Sequence, residues 1–214
     1  MKKRKIPKNY RNITGKIGSN KAWSGIVSYE SKLERDFYFL FDYLPEIRSM
    51  DDQPITIEYE YNGKSYSYTP DFIIYFHDDS CILGEIKYRD DLLENFGDFA
   101  HKFRAAIEYC NGFSNMKFRL FTDRCPYVKN QDLLWNIKFL SDYEVIDERY
   151  LNTINIFFRR CNTVGELLNS ITEDKYEQAA IVPTLWGLVR LGKIKLDLNH
   201  KLSLNTVLED IYEP

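Results

Sequence analysis

Tyr68-Thr69-Pro70-Asp71-Phe72-Ile73-Ile74-Tyr75-Phe76, a turn at His77-Asp78-Asp79-Ser80, and Cys81-Ile82-Leu83-Gly84-Glu85-Ile86-Lys87-Tyr88 form the stretch on which the fold reading rests. Both apolar runs read as strands, rich in β-branched and aromatic residues and bounded by turn formers. Residues i and i+2 of a strand share a face, so Glu85 and Lys87 point one way and Ile86 the other. Asp71 stands 14 residues before Glu85 across a tight turn, and a hairpin of that size can bring the two side chains side by side. Two carboxylates that meet in a sheet repel each other unless a cation lies between them. Each part also has an ordinary reading. Glu-x-Lys can be a salt bridge on a half-exposed strand, and an Asp after Pro can cap a turn.

Working outward, a helix begins at Ser31. Leu33, Phe37, Leu40, Phe41 and Leu44 recur at helical spacing, and Pro45 marks the end. Ser31-Lys32-Leu33-Glu34 is a capping-box pattern, in which Glu34 reaches back to the backbone of Ser31. Glu34 also falls at the edge of the buried stripe, so a second role is geometrically open. Residues 55–61 read as a strand, Asn62-Gly63 as a hairpin turn, and residues 64–76 as a return strand interrupted by Pro70. Residues 98–110 read as a helix with Phe99, Phe103, Ala106, Ile107 and Cys110 on one face, and residues 116–122 as a fourth strand. The order is that of a mixed α/β sheet with helices packed on it. Residues 131–140 form a further helix.

Composition shifts near residues 145–160. Beyond it, Thr163 caps a short helix with Glu166 at the capping-box position. Residues 177–191 form a longer helix ended by Gly192, and residues 194–198 and 202–207 a hairpin. Helix, helix and hairpin outline a winged-helix module. The expected domains are a basic arm at residues 1–25, an α/β domain at 26–148 and the winged-helix-like domain at 149–214.

The 214 residues are 44% hydrophobic and 29% charged, the profile of a folded protein. No run approaches the ~18 apolar residues of a membrane helix. The basic start is followed by no apolar segment of a signal peptide. A cytoplasmic protein is expected. Four cysteines at 81, 110, 125 and 161, with three histidines, match no common zinc spacing and give no disulfide framework. The net charge of −3 hides eight Lys/Arg and no acid in residues 1–21, against 21 basic and 32 acidic residues in the rest. Such an arm suits contact with nucleic acid phosphates, or is simply a solvated tail. No glycine-rich nucleotide-binding motif is present, and Lys102 and Arg104 read as a solvated helix face rather than as phosphate contacts, the other reading open to them.

Taken together the parts are far more specific. An acid on a first helix (Glu34), Pro70-Asp71 before an apolar strand, and Glu85-Ile86-Lys87 on the next strand reproduce the PD-(D/E)xK nuclease layout. With Ser31-Lys32-Leu33-Glu34-Arg35-Asp36-Phe37, Gln53-Pro54-Ile55, Lys102-Phe103-Arg104-Ala105-Ala106 and Phe121-Thr122-Asp123, the chain resembles the TnsA family of transposon endonucleases. The resemblance spans roughly residues 25–210 and is strongest over 31–123.

The resemblance implies a restriction-endonuclease-like α/β domain with a C-terminal winged helix. It also implies cutting of the 5′ strands of double-stranded DNA at transposon ends. The implied partners are a TnsB-type transposase and a TnsC-type AAA+ ATPase, the latter met through the C-terminal domain, with the enzyme at work on the bacterial nucleoid. Glu34, Asp71, Glu85 and Lys87 carry over as catalytic residues. Mg²⁺, with Mn²⁺ as a substitute, is held by Glu34, Asp71, Glu85 and the Ile86 carbonyl. Glu85 stands where the best-known family pattern has Gln, which adds negative charge at the metal. A stand-alone restriction or repair nuclease, a non-catalytic winged-helix adaptor and a DNA-binding regulator are the alternatives. The last is poorly served by residues 161–214, with five basic and eight acidic residues.

Overall fold

In the computed structural model, which describes residues 13–211, the chain divides between Lys129 and Asn130 into two units. Residues 1–12, about half of the basic arm, lie outside the described residues. A strand begins inside the segment assigned to the arm. Gly15–Gly18 (β1) pairs antiparallel with Ile26–Tyr29 (β2), because Ile17 and Val27 are apolar and buried. Lys21, counted with the phosphate-binding cations, donates to the carbonyls of Phe41 and Leu44. These carbonyls lie at the C-terminal end of the next helix, where a cation is favoured by the orphan acceptors and the dipole.

That helix, Lys32–Tyr43 (α1), starts at Ser31, whose side chain accepts from the Glu34 N–H. Ile47–Asp52 (β3) follows, a strand that its polar sequence did not announce. Ile57–Tyr61 (β4) and Lys64–Tyr68 (β5) form a separate two-stranded ribbon around Asn62-Gly63. The residues read as one strand interrupted by Pro70 are two: β5 belongs to the ribbon and Phe72–Phe76 (β6) to the main sheet. Proline has no N–H to continue a ladder, so the chain leaves one sheet and enters the other there. Cys81–Ile86 (β7), Arg89–Glu94 (α2), Phe96–Asn111 (α3), Met116–Phe121 (β8) and Pro126–Lys129 (α4) complete the unit. The main sheet has the order β3-β6-β7-β8, with β7 and β8 parallel and the other pairs antiparallel. This is a mixed four-stranded sheet flanked by helices.

Alternation along β6 and β7 sorts two cores. Phe72 meets Phe41 of α1 and Phe121, with ring centroids 4.9 and 5.2 Å apart. Ile73, Leu83 and Cys81 face the other way, into a cluster with Phe103, Ala106 and Cys110 of α3. Gly84 is opposite Phe72 in the ladder, and a Cβ there would lie 2.1 Å from the Phe72 ring. The ring fills the space a side chain would take. Gly84→Ala is therefore expected to cost about 2–3 kcal/mol of stability through overpacking, measured by urea unfolding. Wild-type stability of the variant would show that the Phe72 ring can yield.

The second unit contains Gln131–Leu140 (α5), Glu148–Phe158 (α6), Val164–Ile171 (α7), Lys175–Arg190 (α8), Ile194–Lys195 (β9) and Asp210–Ile211 (β10). Its start precedes the expected boundary at 148/149 because α5 packs within it. The fully buried Asn136 of α5 donates to the carbonyls of Leu198 and His200 and accepts from the Leu202 N–H. Thr163 caps α7 by accepting from the Glu166 N–H, and the Glu166 carboxylate reaches back to the Asn162 N–H. The expected hairpin does not: β9 pairs with β10, and residues 202–207 form no strand. Asn136 holds only Leu202 of that segment, and its remainder is bound to the start of α7, where the Val164 and Gly165 N–H groups donate to the Thr206 and Leu204 carbonyls and Thr163 makes an isolated antiparallel bridge with Val207. Trp186 is buried with its ring edge-on to Phe139, a core residue of this unit and not an exposed anchor.

Candidate active site

The β6–β7 register pairs Phe72 with Gly84 and Ile73 with Leu83. Continued by one step, it sets Asp71 opposite Glu85 where the ladder ends. Both side chains take the face of Ile73 and Leu83, toward α3. Lys87, two residues beyond Glu85, shares that face. Its Nζ lies 3.1 Å from Glu85 Oε1 and 3.6 Å from Asp71 Oδ2. The structure thus brings together three of the four residues that the sequence singled out.

Asp71 is fixed at its backbone and its side chain. Its carbonyl accepts from Tyr38 Oη (2.9 Å) and from the Gln53 N–H (2.9 Å), and Oδ2 accepts from the Ile86 N–H (2.7 Å). Gln53 has φ of 45°, a conformation in which a non-glycine residue is strained, at the edge of the site. Burial, and then the charge of Glu85, push the Asp71 carboxyl up to about 7, against the opposing pull of Lys87 and the Ile86 N–H. Burial works against the Lys87 ammonium, but Asp71 and Glu85 outweigh it and hold its pKa above the usual value. Burial and the Asp71 charge likewise keep the Tyr38 hydroxyl protonated.

Glu85 is the most deeply set member, with a side chain 2% exposed. Tyr68 Oη donates to Oε2 at 2.6 Å, and Lys102 Nζ of α3 donates to Oε1 at 3.0 Å. Sequence reading missed both residues. Lys102 is not on a solvated face: it sits between Phe99 and Phe103, and that placement within an apolar helix stripe was the available signal. Glu34 is placed differently. Its Oε2 accepts from the Glu30 N–H (2.7 Å) and its Oε1 from Ser31 Oγ (2.8 Å), the capping-box role. Its charge still reaches the site, contributing to the raised pKa of Asp71.

The donor set fits a hard divalent cation, which takes oxygen ligands. Two carboxylates share one sheet face, one of them with its pKa raised by burial and by the other's charge, and Asp71 Oδ1 accepts no hydrogen bond among the described residues. No group of three His, Cys, Asp or Glu side chains converges on one point among the described residues, because Glu34 faces its own helix end. A stability signature follows from the raised pKa of Asp71. The folded pKa near 7 lies above the unfolded 3.8, so between these values the native state binds the extra proton. In EDTA, stability is expected to fall as pH rises from about 4 to about 7, the reverse of an ordinary paired carboxylate. Thermal melts across this range check it, and Mg²⁺ at pH 8 should recover the loss.

A mixed sheet flanked by helices, with a carboxylate pair and a lysine where β6 and β7 part, is the restriction-endonuclease-like architecture. Residues 44–123 match the family model described as TnsA-like endonuclease N terminal. The match supports a TnsA-type endonuclease, as the sequence resemblance implied. It holds Asp71, Glu85, Ile86 and Lys87, whereas Glu34 and the second unit lie outside it. No curated protein matches the chain. No described helix is long and apolar enough to cross a membrane.

Proposed function

We propose that this chain is a metal-dependent endonuclease that hydrolyses one phosphodiester bond in the 5′ strand at each end of a DNA transposon. The observation that carries the reading is Asp71 opposite Glu85 with Lys87 between them, inside the stretch similar to TnsA-like endonucleases. Asp71, Glu85 and the Ile86 carbonyl would hold Mg²⁺, or Mn²⁺ in its place, with Glu34 joining them on release from its cap. The ion supplies an activated water and neutralises charge on the phosphoryl oxygens. Lys87 bridges the two carboxylates and can turn to the phosphate as a point charge. Tyr38 and Gln53 hold the Asp71 backbone in place while this happens.

The reading extends to a TnsB-type transposase and a TnsC-type AAA+ ATPase as partners, on the bacterial nucleoid in the cytoplasm. The second unit is assigned to protein contact, since residues 130–214 carry nine basic and thirteen acidic residues. End-labelled transposon-end duplex incubated with all three proteins and Mg²⁺ tests the function. Cuts confined to the 5′ strand, abolished by EDTA, are the expected result. Cutting by the purified chain alone would turn the reading to a stand-alone nuclease, and none in the complete mixture would turn it to an adaptor.

Glu34→Gln separates the two roles of Glu34. Glutamine still serves a capping box, so stability should change by less than about 0.5 kcal/mol. Loss of the charge should lower cleavage by about 10-fold or more. Undiminished cleavage would leave Glu34 as a cap alone.

A further inference from the structure

Glu85 Oε1 receives two ammonium groups, Lys102 at 3.0 Å and Lys87 at 3.1 Å. Their settings differ. The Lys102 ammonium lies 4.8 Å from the ring centroids of Tyr68 and Phe99 and 5.3 Å from that of Phe103. Aromatic faces attract a cation, most strongly where water is excluded. The same Tyr68 donates its hydroxyl to Glu85 Oε2, so the cage and the carboxylate share a wall. Lys87 has carboxylates as its partners among the described residues, and it bridges Glu85 and Asp71.

We propose that Lys102 is a positioning residue. It is the permanent counter-ion of Glu85, held from behind by the Tyr68–Phe99–Phe103 cage, and it leaves Lys87 as the exchangeable ammonium of the site. The inference rests on the endonuclease reading and deepens it. Charge arithmetic supports the division of labour. With both carboxylates ionised, as metal ligation requires, Asp71, Glu85, Lys87 and Lys102 together are neutral. When Lys87 turns to a phosphate, the remaining three carry one negative charge, which suits a divalent cation. Without Lys102, Glu85 would keep Lys87 as its sole ammonium partner, and the turn would be opposed.

Ammonium resonances of ¹⁵N-lysine-labelled wild-type protein test this directly, assigned with Lys87→Met and Lys102→Met. Titration with Mg²⁺ alone, without DNA, should displace or broaden the Lys87 signal and leave that of Lys102 in place. An unmoved Lys87 signal, or a displaced Lys102 signal, overturns the proposal. In the reconstituted cleavage reaction, Lys102→Met should lower kcat by roughly 10–100-fold with KM for DNA within about twofold. Lys102→Arg, which keeps the charge over the rings, should recover most of the loss. A residue that merely stabilised the fold would change the melting temperature and not kcat. Wild-type turnover by Lys102→Met overturns the inference and leaves the nuclease reading standing. Failure of the wild-type protein to cleave overturns the nuclease reading, and the resonances still decide the role of Lys102. If Lys102→Met does not fold, Lys102→Arg, which also removes the lysine resonance, supplies the assignment.

Discussion

Asp71→Asn is expected to abolish cleavage while making the metal-free protein more stable at pH 8. The activity loss follows from removing one of two carboxylates that would hold the cation. That change should cost several kcal/mol of transition-state stabilisation, on the order of a 10³-fold loss in rate or more. The gain in stability follows from the environment of Asp71. Its carboxyl is pushed to about 7 by burial and by Glu85, so at pH 8 the native state carries an unfavourable charge. Asparagine removes that charge and keeps an oxygen for the Ile86 N–H that Asp71 Oδ2 accepts at 2.7 Å. Lys87 loses one partner but retains Glu85 at 3.1 Å. A net gain of about 1–3 kcal/mol is expected, given ~1.4 kcal/mol for each tenfold change in proton affinity between the folded and unfolded chain. Urea unfolding at pH 8 in EDTA measures it. At pH 4, where Asp71 is largely protonated in the folded protein, the difference should vanish.

Glu85→Ala should abolish cleavage to the same degree with the opposite effect on stability. Glu85 is the compensated member of the pair, buried to 2% exposure and bonded to Tyr68, Lys87 and Lys102. Alanine leaves two ammonium groups and a hydroxyl without their shared acceptor. Breaking a buried pair by removing one partner costs about 3–5 kcal/mol, because the remaining charge stays desolvated. The caged Lys102, 21% exposed, has little access to water. The two variants measured side by side in EDTA should therefore shift the urea midpoint in opposite directions. A shift in the same direction would show that charge is not divided between the two carboxylates as described.

Much of the site was legible in the residues themselves, for local reasons. The period of two along a strand is a covalent property, so Glu85 and Lys87 share a face in any strand that contains them. The short turn at residues 77–80 then determines the Asp71–Glu85 register, because a hairpin leaves few alternative pairings. Ser31-Lys32-Leu33-Glu34 encodes its own cap: Ser31 Oγ accepts from the Glu34 N–H, while the Glu34 carboxylate reaches Ser31 Oγ and the Glu30 N–H, one residue before the Ser31 backbone its pattern pointed to.

Other features had no local signature. Ile47–Asp52 is a strand because β6 offers it a free edge, not because its residues favour one. Leu202 is held by Asn136, more than sixty positions away, and residues 204–207 by the backbone of residues 163–165, so the hairpin that their sequence suggested does not form. Trp186 is equally suited to a core or an interface, and only its packing on Phe139 decides for the core. Lys21 reads as one more cation of a basic arm until the C-terminal carbonyls of α1 are brought to it. Lys102 is the clearest case. Taken alone it is a lysine on a helix. The sheet delivers Glu85 to it, the ribbon delivers Tyr68, and α3 adds Phe99 and Phe103. The chemistry of a residue is written in the sequence, but its partners come from segments whose distance along the chain carries no local trace, and only the tertiary fold brings them within reach.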